Sequence, residues 1–583
     1  MRLPCVAMRE AIPPDLRSRL IEVARGDAPA DTLLANARLV NVRSGEIHDA
    51  DIALYGGRVA GLGDYEARET IDLKGAFVSP GLIDAHVHIE SSMVTVPEFA
   101  RAVVPRGTTT VVTDPHEIAN VLGIAGIRYM LESSEALPLR VFVMASSCVP
   151  ATDMETSGAE LTAADLAPLF EHPRVIGLAE VMNFPGVFLA APEVLAKIEA
   201  AGQRPVDGHA PGLSGKNLNA YIAAGVGSDH ECTTVEEARE KLRRGMHIFI
   251  REGTTARNLT ELLPLVTPSN SAYCSFCTDD RHPQDLLEEG HIDALLRMAV
   301  AEGLEPITAI QMATINTATY FGLRGLGMVA PGYRADLVVF DGLSDLQARM
   351  VFSDGALVAE DGEYVGPRPR PPQPPGGGVA VAWGKVDLSV AAGAGAGGRV
   401  IHAIPGQIVT GQSVEEMSVR DGLAVSDPDR DILKIAVIER HRSTGNVGVG
   451  FVKGFGLKQG AIASSVAHDN HNIVVVGASD EEMKAAARAV AETGGGQAVV
   501  GRGKVLASVP LPIAGLMSDL PLEEVRERVA AMTRAARELG GTLADPLMTM
   551  SFLALAVIPE LKITDLGLVD VVEFRRVEVL ANQ

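Results

Sequence analysis

Between residues 77 and 280 the chain repeats one texture eight times: an apolar run of strand length, a polar end, then a helical pattern. The predicted strands cover 83–90, 109–115, 141–149, 175–183, 205–209, 226–231, 247–252 and 275–280. Predicted helices fall at 96–106, 118–131, 163–170, 192–201, 216–224, 235–244 and 257–265, with another near 306–320. Strand–helix alternation predicts parallel βαβ units. Eight units within roughly 250 residues is the count of a (β/α)8 barrel, and a doubly wound open sheet is the alternative. In such barrels the active site lies at the C-terminal ends of the strands. The polar residues of this chain gather there.

The flanks change texture. Residues 10–27 read as an amphipathic surface helix, and 31–63 as short β runs broken by Gly and Asp turns. The same style returns at 332–363. Residues 1–76 and 326–365 are therefore expected to build one small β-sandwich domain beside a barrel of residues 77–325. The run GPRPRPPQPPGGG at 366–378 reads as a Pro/Gly-rich linker. Residues 379–583 read as a separate C-terminal α/β domain, with strands at 432–439 and 473–478 and helices at 481–493 and 522–539. The expected fold class is α/β: a TIM-like barrel, a small flanking β-sandwich and a C-terminal α/β domain. A length of 583 residues suits such a multidomain chain.

The formal net charge of −23 disfavours nucleic acid and anionic membranes as partners, and is compatible with a small neutral or cationic substrate. No run approaches the length of a membrane span. The N-terminus carries charges throughout and lacks the apolar core of a signal peptide. Cys5, Cys148, Cys232, Cys274 and Cys277 are few and show no pairing pattern. Reduced thiols in a cytoplasmic protein are the expectation.

The predicted strand ends deliver His86 and His88 from the first, Glu180 from the fourth, His209 from the fifth, His230 from the sixth and Asp279 from the eighth. Residues two apart on a strand point the same way, so His86 and His88 can converge on one metal. Neutral imidazole with carboxylate suits Zn, Mn or Fe(II) rather than Ca or Mg. Two ions would share these six ligands, with Glu180 placed to bridge. Such a pair lowers the pKa of bound water and clamps the reacting group.

The order His-x-His…His…His…Asp on this strand pattern resembles the amidohydrolase superfamily. The stretches DAHVHIESSM, TDPHEIANVLG, LAEVMNFPGV, DGHAPGL, SDHE, FCTDDRHP and SSVAHDNHNIVVVG resemble bacterial adenine deaminases and span most of the chain. Many superfamily members place a carboxylated Lys after the fourth strand. Glu180 stands here instead, which argues against the Lys-bridged cyclic-amide hydrolases. The resemblance implies that His86, His88 and Asp279 serve one metal and His209 and His230 the other, with Glu180 between them. It implies hydrolytic attack at C6 of adenine by water activated at two divalent metals, Mn or Fe(II) favoured and Zn admissible. Asp279 would relay the proton to the leaving ammonia. Purine salvage and a homo-oligomer, with a dimer as the first guess, follow from the same resemblance. The alternatives are another amidohydrolase acting on an amidine, guanidine or cyclic amide, and a catalytically inert scaffold.

A ring nitrogen must gain a proton during attack, and Glu90, His116 and Glu117 are candidates by position. Each can instead cap a helix or hydrogen-bond within a loop. Ser91 and Ser92 either cap a helix or contact substrate. Asp114 and Asp280 are placed to orient the ligands. Arg251 and Glu252 end the seventh strand and either line the pocket or form a structural ion pair. Cys274-x-x-Cys277 has no second CxxC, so buried strand thiols are the expectation. His468 and His471, in Ser464-Ser-Val-Ala-His468-Asp-Asn-His471, either reach the barrel mouth to enclose the substrate or form an internally satisfied turn.

Overall fold

The structure is a computed structural model that describes residues 12–376 and 378–581. Cys5, the first part of the segment read for a signal peptide and the first residues of the helix expected from residue 10 lie outside them. The helix itself runs Pro14–Ala24, with proline at its start.

The two flanks form one nine-stranded sheet. Ala30–Asn41, Glu46–Tyr55, Arg58–Leu62, Ala67–Asp72 and Phe77–Pro80 come from before the barrel. Leu337–Phe340, Ala348–Ser353, Ala356–Glu360 and Glu363–Tyr364 come from after it. Phe77–Pro80 pairs antiparallel with Leu337–Phe340, Val78 opposite Val339, and so stitches the flanks together. The sheet encloses its own core of Leu34, Leu39, Ile52, Val78, Val339 and Phe352.

The barrel strands are Leu82–His88, Thr108–Thr113, Arg140–Ala145, Val175–Val181, Val206–Gly208, Ser228–Asp229, His247–Arg251 and, in two pieces, Cys274–Cys277 and Asp279–Asp280. All neighbouring pairs are parallel. Cys274–Cys277 pairs with the seventh strand and Asp279–Asp280 with the first, so the eighth closes the ring. Between the fifth and sixth strands closure rests on Gly227 N–H donating to the Val206 carbonyl at 2.9 Å. The first, second and fourth strands are buried along their whole length. That explains why they read as apolar runs rather than alternating ones.

The helices follow the expected rhythm with local differences. The helix expected over 118–131 is two, His116–Leu122 and Ile124–Ser133, broken at Gly123 with φ +60°. Pro283–Glu288 and Ile292–Ala301, after the eighth strand, were not anticipated. No described helix is long and apolar enough to cross a membrane.

Beyond Tyr364 the described residues of the Pro-rich stretch carry no helix or strand until a short turn at Trp383–Lys385. The C-terminal region is an eight-stranded, mainly antiparallel sheet with Leu433–Ile438 and Ile473–Gly477 near its centre. Asp480–Glu492 and Leu522–Glu538 are its longest helices. It is not apart from the barrel, because one buried cluster includes Val111 and Val143 of the barrel with Val474 and Val499 of this sheet. Ser518 N–H donates to the Met93 carbonyl at 2.8 Å, Arg101 pairs with Glu523 at 2.6 Å, and His282 Nδ1 lies 3.0 Å from Asp545 Oδ2. These contacts ring the C-terminal end of the barrel.

Candidate metal centre

Six predicted ligands converge at that end. His86 Nε2 and His88 Nε2 lie 3.1 Å apart, and Asp279 Oδ1 stands 3.5 Å from the first and 3.1 Å from the second. Glu180 spans the cluster. Its Oε1 lies 3.3 Å from His88 Nε2, and its Oε2 lies 2.8 Å from His209 Nδ1 and 3.2 Å from His230 Nε2. All six are buried.

Local structure aims these side chains. The register between the first two strands slips between Asp84 and Val87, one extra residue on the first strand, as in a β-bulge beside an active site. Asp84 then accepts from His86 N–H at 3.1 Å and Thr278 N–H at 3.2 Å, and faces His291 Nε2 at 3.0 Å. The first and eighth strand ends are thereby tied to each other. Asp229 does the same for the fifth and sixth. It accepts from Ala210 N–H and Glu231 N–H at 2.9 and 3.1 Å and pairs with buried Lys241 at 2.9 Å. Asp279 adopts φ +58°, a left-handed conformation uncommon for a non-glycine residue, where the eighth strand breaks.

The donor set fits a divalent metal. His88 Nδ1–H donates to the Asp114 carbonyl at 2.9 Å, which leaves the Nε2 lone pair directed into the cluster. Two imidazole nitrogens and a carboxylate oxygen facing one another at 3.1–3.5 Å form a cation's environment rather than a mutual hydrogen-bond pattern. His86–His88–Asp279, His86–Glu180–His230 and His209–His230–Glu231 each bring one donor atom apiece within 4.8 Å of the others. Burial pushes the Glu180 carboxyl up, but His209 and His230 outweigh it and hold it well below the usual carboxylate range. Asp279 is likewise buried yet held well below, chiefly by Arg251 and then by His86 and His88.

The other candidates divide. His116 and Glu117 line the cavity with His88, Glu180, Asp279, Arg251 and Asp280. His116 Nδ1 lies 2.7 Å from Asp114 Oδ2, and Asp114 also accepts from Ser146 Oγ at 3.0 Å. Arg251 donates to Asp279 Oδ2 at 2.7 Å and also to Glu231. It therefore both lines the pocket and forms an ion pair.

Glu90, Ser91, Ser92, Glu252 and His471 do not line the cavity. Glu90 Oε1 accepts from Ile118 N–H at 3.2 Å, and burial pushes its carboxyl up to about 7. Ser92 Oγ donates to the Ile89 carbonyl at 2.5 Å within its own turn rather than capping a helix, and Ser91 Oγ donates to Asp280. Glu252 is next to Arg251 on a strand and so projects from the opposite face, where it accepts from Leu259 N–H at 3.1 Å. Cys274 and Cys277 are buried free thiols in the eighth strand.

The C-terminal sheet supplies the rest of the wall. His468 Nδ1 lies 2.5 Å from Glu117 Oε1, and His471 Nε2 contacts Glu117 Oε2. His471 is spent on Glu117 and on Ala467 N–H at 3.2 Å, so it braces the loop from behind. Phe552 stacks on the His468 ring at 4.5 Å and 14°. Asp469, not singled out from sequence, places Oδ1 3.6 Å from His116 Nε2. Asp469 Oδ2 and His468 Nε2 are buried without a partner among the described residues. Glu231 was also missed. It adjoins His230, and its signal was only one carboxylate more in SDHE.

Two family models match the chain: the amidohydrolase family over residues 77–360 and the adenine deaminase C-terminal domain over residues 407–575. The adenine deaminase of Desulfatibacillum aliphaticivorans is 55% identical across 95% of this chain and 98% of its own. Adenine deaminase 2 of Carboxydothermus hydrogenoformans is 52% identical across 96% and 99%, and the adenine deaminase of Kosmotoga olearia 51% across 95% and 97%. The barrel with its ligand cluster and the sheet that walls it are thus matched together, and the chain belongs to the adenine deaminase family.

Proposed function

We propose that the chain hydrolyses adenine to hypoxanthine and ammonia at the cluster closed by the His468 loop. The observation that carries the reading is the convergence of four imidazoles, Glu180 and Asp279 under a wall supplied by the C-terminal sheet. Relatives named adenine deaminase match nearly the whole chain. His86, His88 and Asp279 would hold one divalent metal and His209 and His230 a second, with Glu180 between them, and Mn or Fe(II) is favoured over Zn. Bound there, such metals supply an activated water at neutral pH.

The chain's own groups supply the remainder. Asp279 presents Oδ1 to the reacting centre while Arg251 fixes Oδ2, so it is oriented to take a proton and return it to the leaving amine. His468 holds a proton for the substrate. Burial pushes its imidazole down, but Glu117 outweighs burial and raises it to about 9. With Nδ1 on Glu117, the unpartnered Nε2 is the atom that meets the ring nitrogen where charge develops. Asp469 Oδ2 is an acceptor for the purine's N–H. In this reading Glu117 acts through His468, and Glu90, outside the cavity, has no contact with substrate. The C-terminal domain serves as an active-site cap. The cavity is about 30 Å³, room for water but not for a purine, so groups that line it must rearrange to admit adenine.

This reading places the enzyme in purine salvage, as a cytoplasmic homo-oligomer acting on a small molecule. The test is a screen for ammonia release with adenine, guanine, cytosine and acyl-amino substrates, with metal content measured on the same sample. Release with adenine alone, and with at least one tightly held transition metal per chain, is expected. Release from an acyl-amino substrate but not adenine would overturn the assignment.

A further inference from the structure

Two adjoining cavities, of about 560 and 810 Å³, lie at the end of the barrel opposite the metal centre. They share Arg58, Leu323, Arg324 and Leu326. Arg140 and Arg174 stand on one side, Arg17 and Arg43 on the other. Arg140 opens the third barrel strand and Arg174 directly precedes the fourth, which fixes the cavities at the strands' N-terminal ends. Volumes of this order suit a bound small molecule.

The charge here runs against that of the whole chain, which is −23. Arg140 is matched locally, with Asp354 at 3.0 Å and Asp336 at 3.4 Å. Arg174 donates to the Leu131 carbonyl at 2.7 Å and has Glu135 at 3.8 Å. Arg334 is matched as well, with Asp354 at 2.6 Å; Arg58, Arg17, Arg43 and Arg324 differ. Arg58 is only 6% exposed, and among the described residues its side chain makes one hydrogen bond, from Nη1 to the Gly332 carbonyl at 2.9 Å. Among the described residues, neither Arg58 nor Arg17, Arg43 or Arg324 has a carboxylate within 4.0 Å. A buried guanidinium is ordinarily paired. An added Cβ at Gly325 would stand 3.9 Å from Arg58 Nη1, so the Arg58 fork lies against the turn that carries Arg324. Beside these forks the cavity floor is apolar, formed by Leu139, Val141, Phe142, Leu323 and Leu326.

We infer that the double cavity is a binding site for a phosphorylated small molecule, with the phosphate held between Arg58 and Arg324 and the uncharged part over Phe142 and Leu326. A phosphate monoester offers two charges and several acceptor oxygens to planar guanidinium forks, where a lone carboxylate offers one charge. The site is separate from the metal centre. Its inner wall joins the barrel's core, because Leu323 packs in one cluster with Ile83 and Ala85 of the first strand. The shared chemistry is the phosphate, and its source is either a nucleotide or a sugar phosphate.

Calorimetric titration of the metal-loaded enzyme at low ionic strength with ribose 5-phosphate, AMP and inorganic phosphate tests this. Ribose 5-phosphate carries no purine and so does not enter the catalytic cavity as a base. Saturable binding is expected, weakened at least about tenfold by Arg324→Glu and by higher salt, with the rate of adenine turnover unchanged. AMP binding more tightly than ribose 5-phosphate identifies a nucleotide site, and equal affinities identify a sugar-phosphate site. Arg324 is exposed, so its reversal leaves the fold intact, whereas replacing buried Arg58 would disturb packing; Arg43→Glu provides a second exposed variant. Failure of all three probes to saturate overturns the proposal. So does binding that is equally tight in Arg324→Glu.

Discussion

The two halves of the active-site wall reach it by different routes. The barrel half is set by backbone regularity: six candidate ligands stand at strand ends whose positions are fixed by parallel ladders and by Asp84 and Asp229. The C-terminal half is set by docking. His468, Asp469 and His471 arrive on one loop between two strands of another sheet, and Glu117 meets both histidines from the barrel side. The first half depends on secondary structure and the second on an interface. Substitutions should therefore separate chemistry from closure.

Asp279→Asn should produce the largest effect. The amide keeps the shape but cannot serve as an anionic ligand or take a proton, so a loss of at least about 10³-fold in kcat is expected without a lower melting temperature. Retention of near wild-type turnover would show that the barrel half does not hold the proton relay. Next is Glu117→Gln, which removes the charge that both loop histidines face. A fall of about 10–100-fold in kcat/KM is expected, with faster amide exchange across residues 464–472. If the rate falls while exchange is unchanged, Glu117 acts on substrate directly and the division between chemistry and closure is misplaced. Arg251→Lys is expected to be milder still. The charge persists, but a single ammonium cannot hold Glu231 and Asp279 as the planar fork does, so kcat should drop about tenfold with KM unchanged. A change confined to KM would place Arg251 against the substrate.

The same division explains what could be read from the chain beforehand. The convergence of the candidate ligands was legible because a barrel presents its strand ends together, so periodicity alone gathers His86, Glu180, His230 and Asp279. The supporting groups were less so. Asp84 lies between Ile83 and Ala85 and Asp229 between Ser228 and His230, and nothing local distinguishes a carboxylate that accepts two backbone N–H groups from one that binds metal. Which of Arg251 and Glu252 faces the cavity was open in the sequence: Arg251 lines it and its neighbour does not. Asp469 was missed because its partner His116 is 353 positions away, a pairing that only docking of the two sheets creates. Two of the C-terminal sheet's eight strands and its two longest helices were legible from pattern, while the surface it presents to the barrel was not.

The smallest expected effect tests the interface by pH. Glu155, on the barrel side, accepts from Asn470 Nδ2 at 3.0 Å, one residue beyond Asp469. Burial pushes its carboxyl up to about 8, against Asn470, which lowers it. A carboxyl whose folded pKa exceeds its unfolded value binds more protons when folded, so stability is greatest below the unfolded value, near 4.5. It is lost progressively as pH rises towards about 8 and is constant above that. Glu155→Gln keeps an acceptor for Thr152 N–H and removes the titration. The variant should match the wild type in acid and exceed it by a few kcal/mol at most in alkali, with kcat at neutral pH nearly unchanged. Chemical denaturation across that pH range reads the difference directly. Parallel curves for the two proteins would mean that Glu155 is solvated, and that the docked edge around Asn470 is looser than the closure of the His468 loop requires.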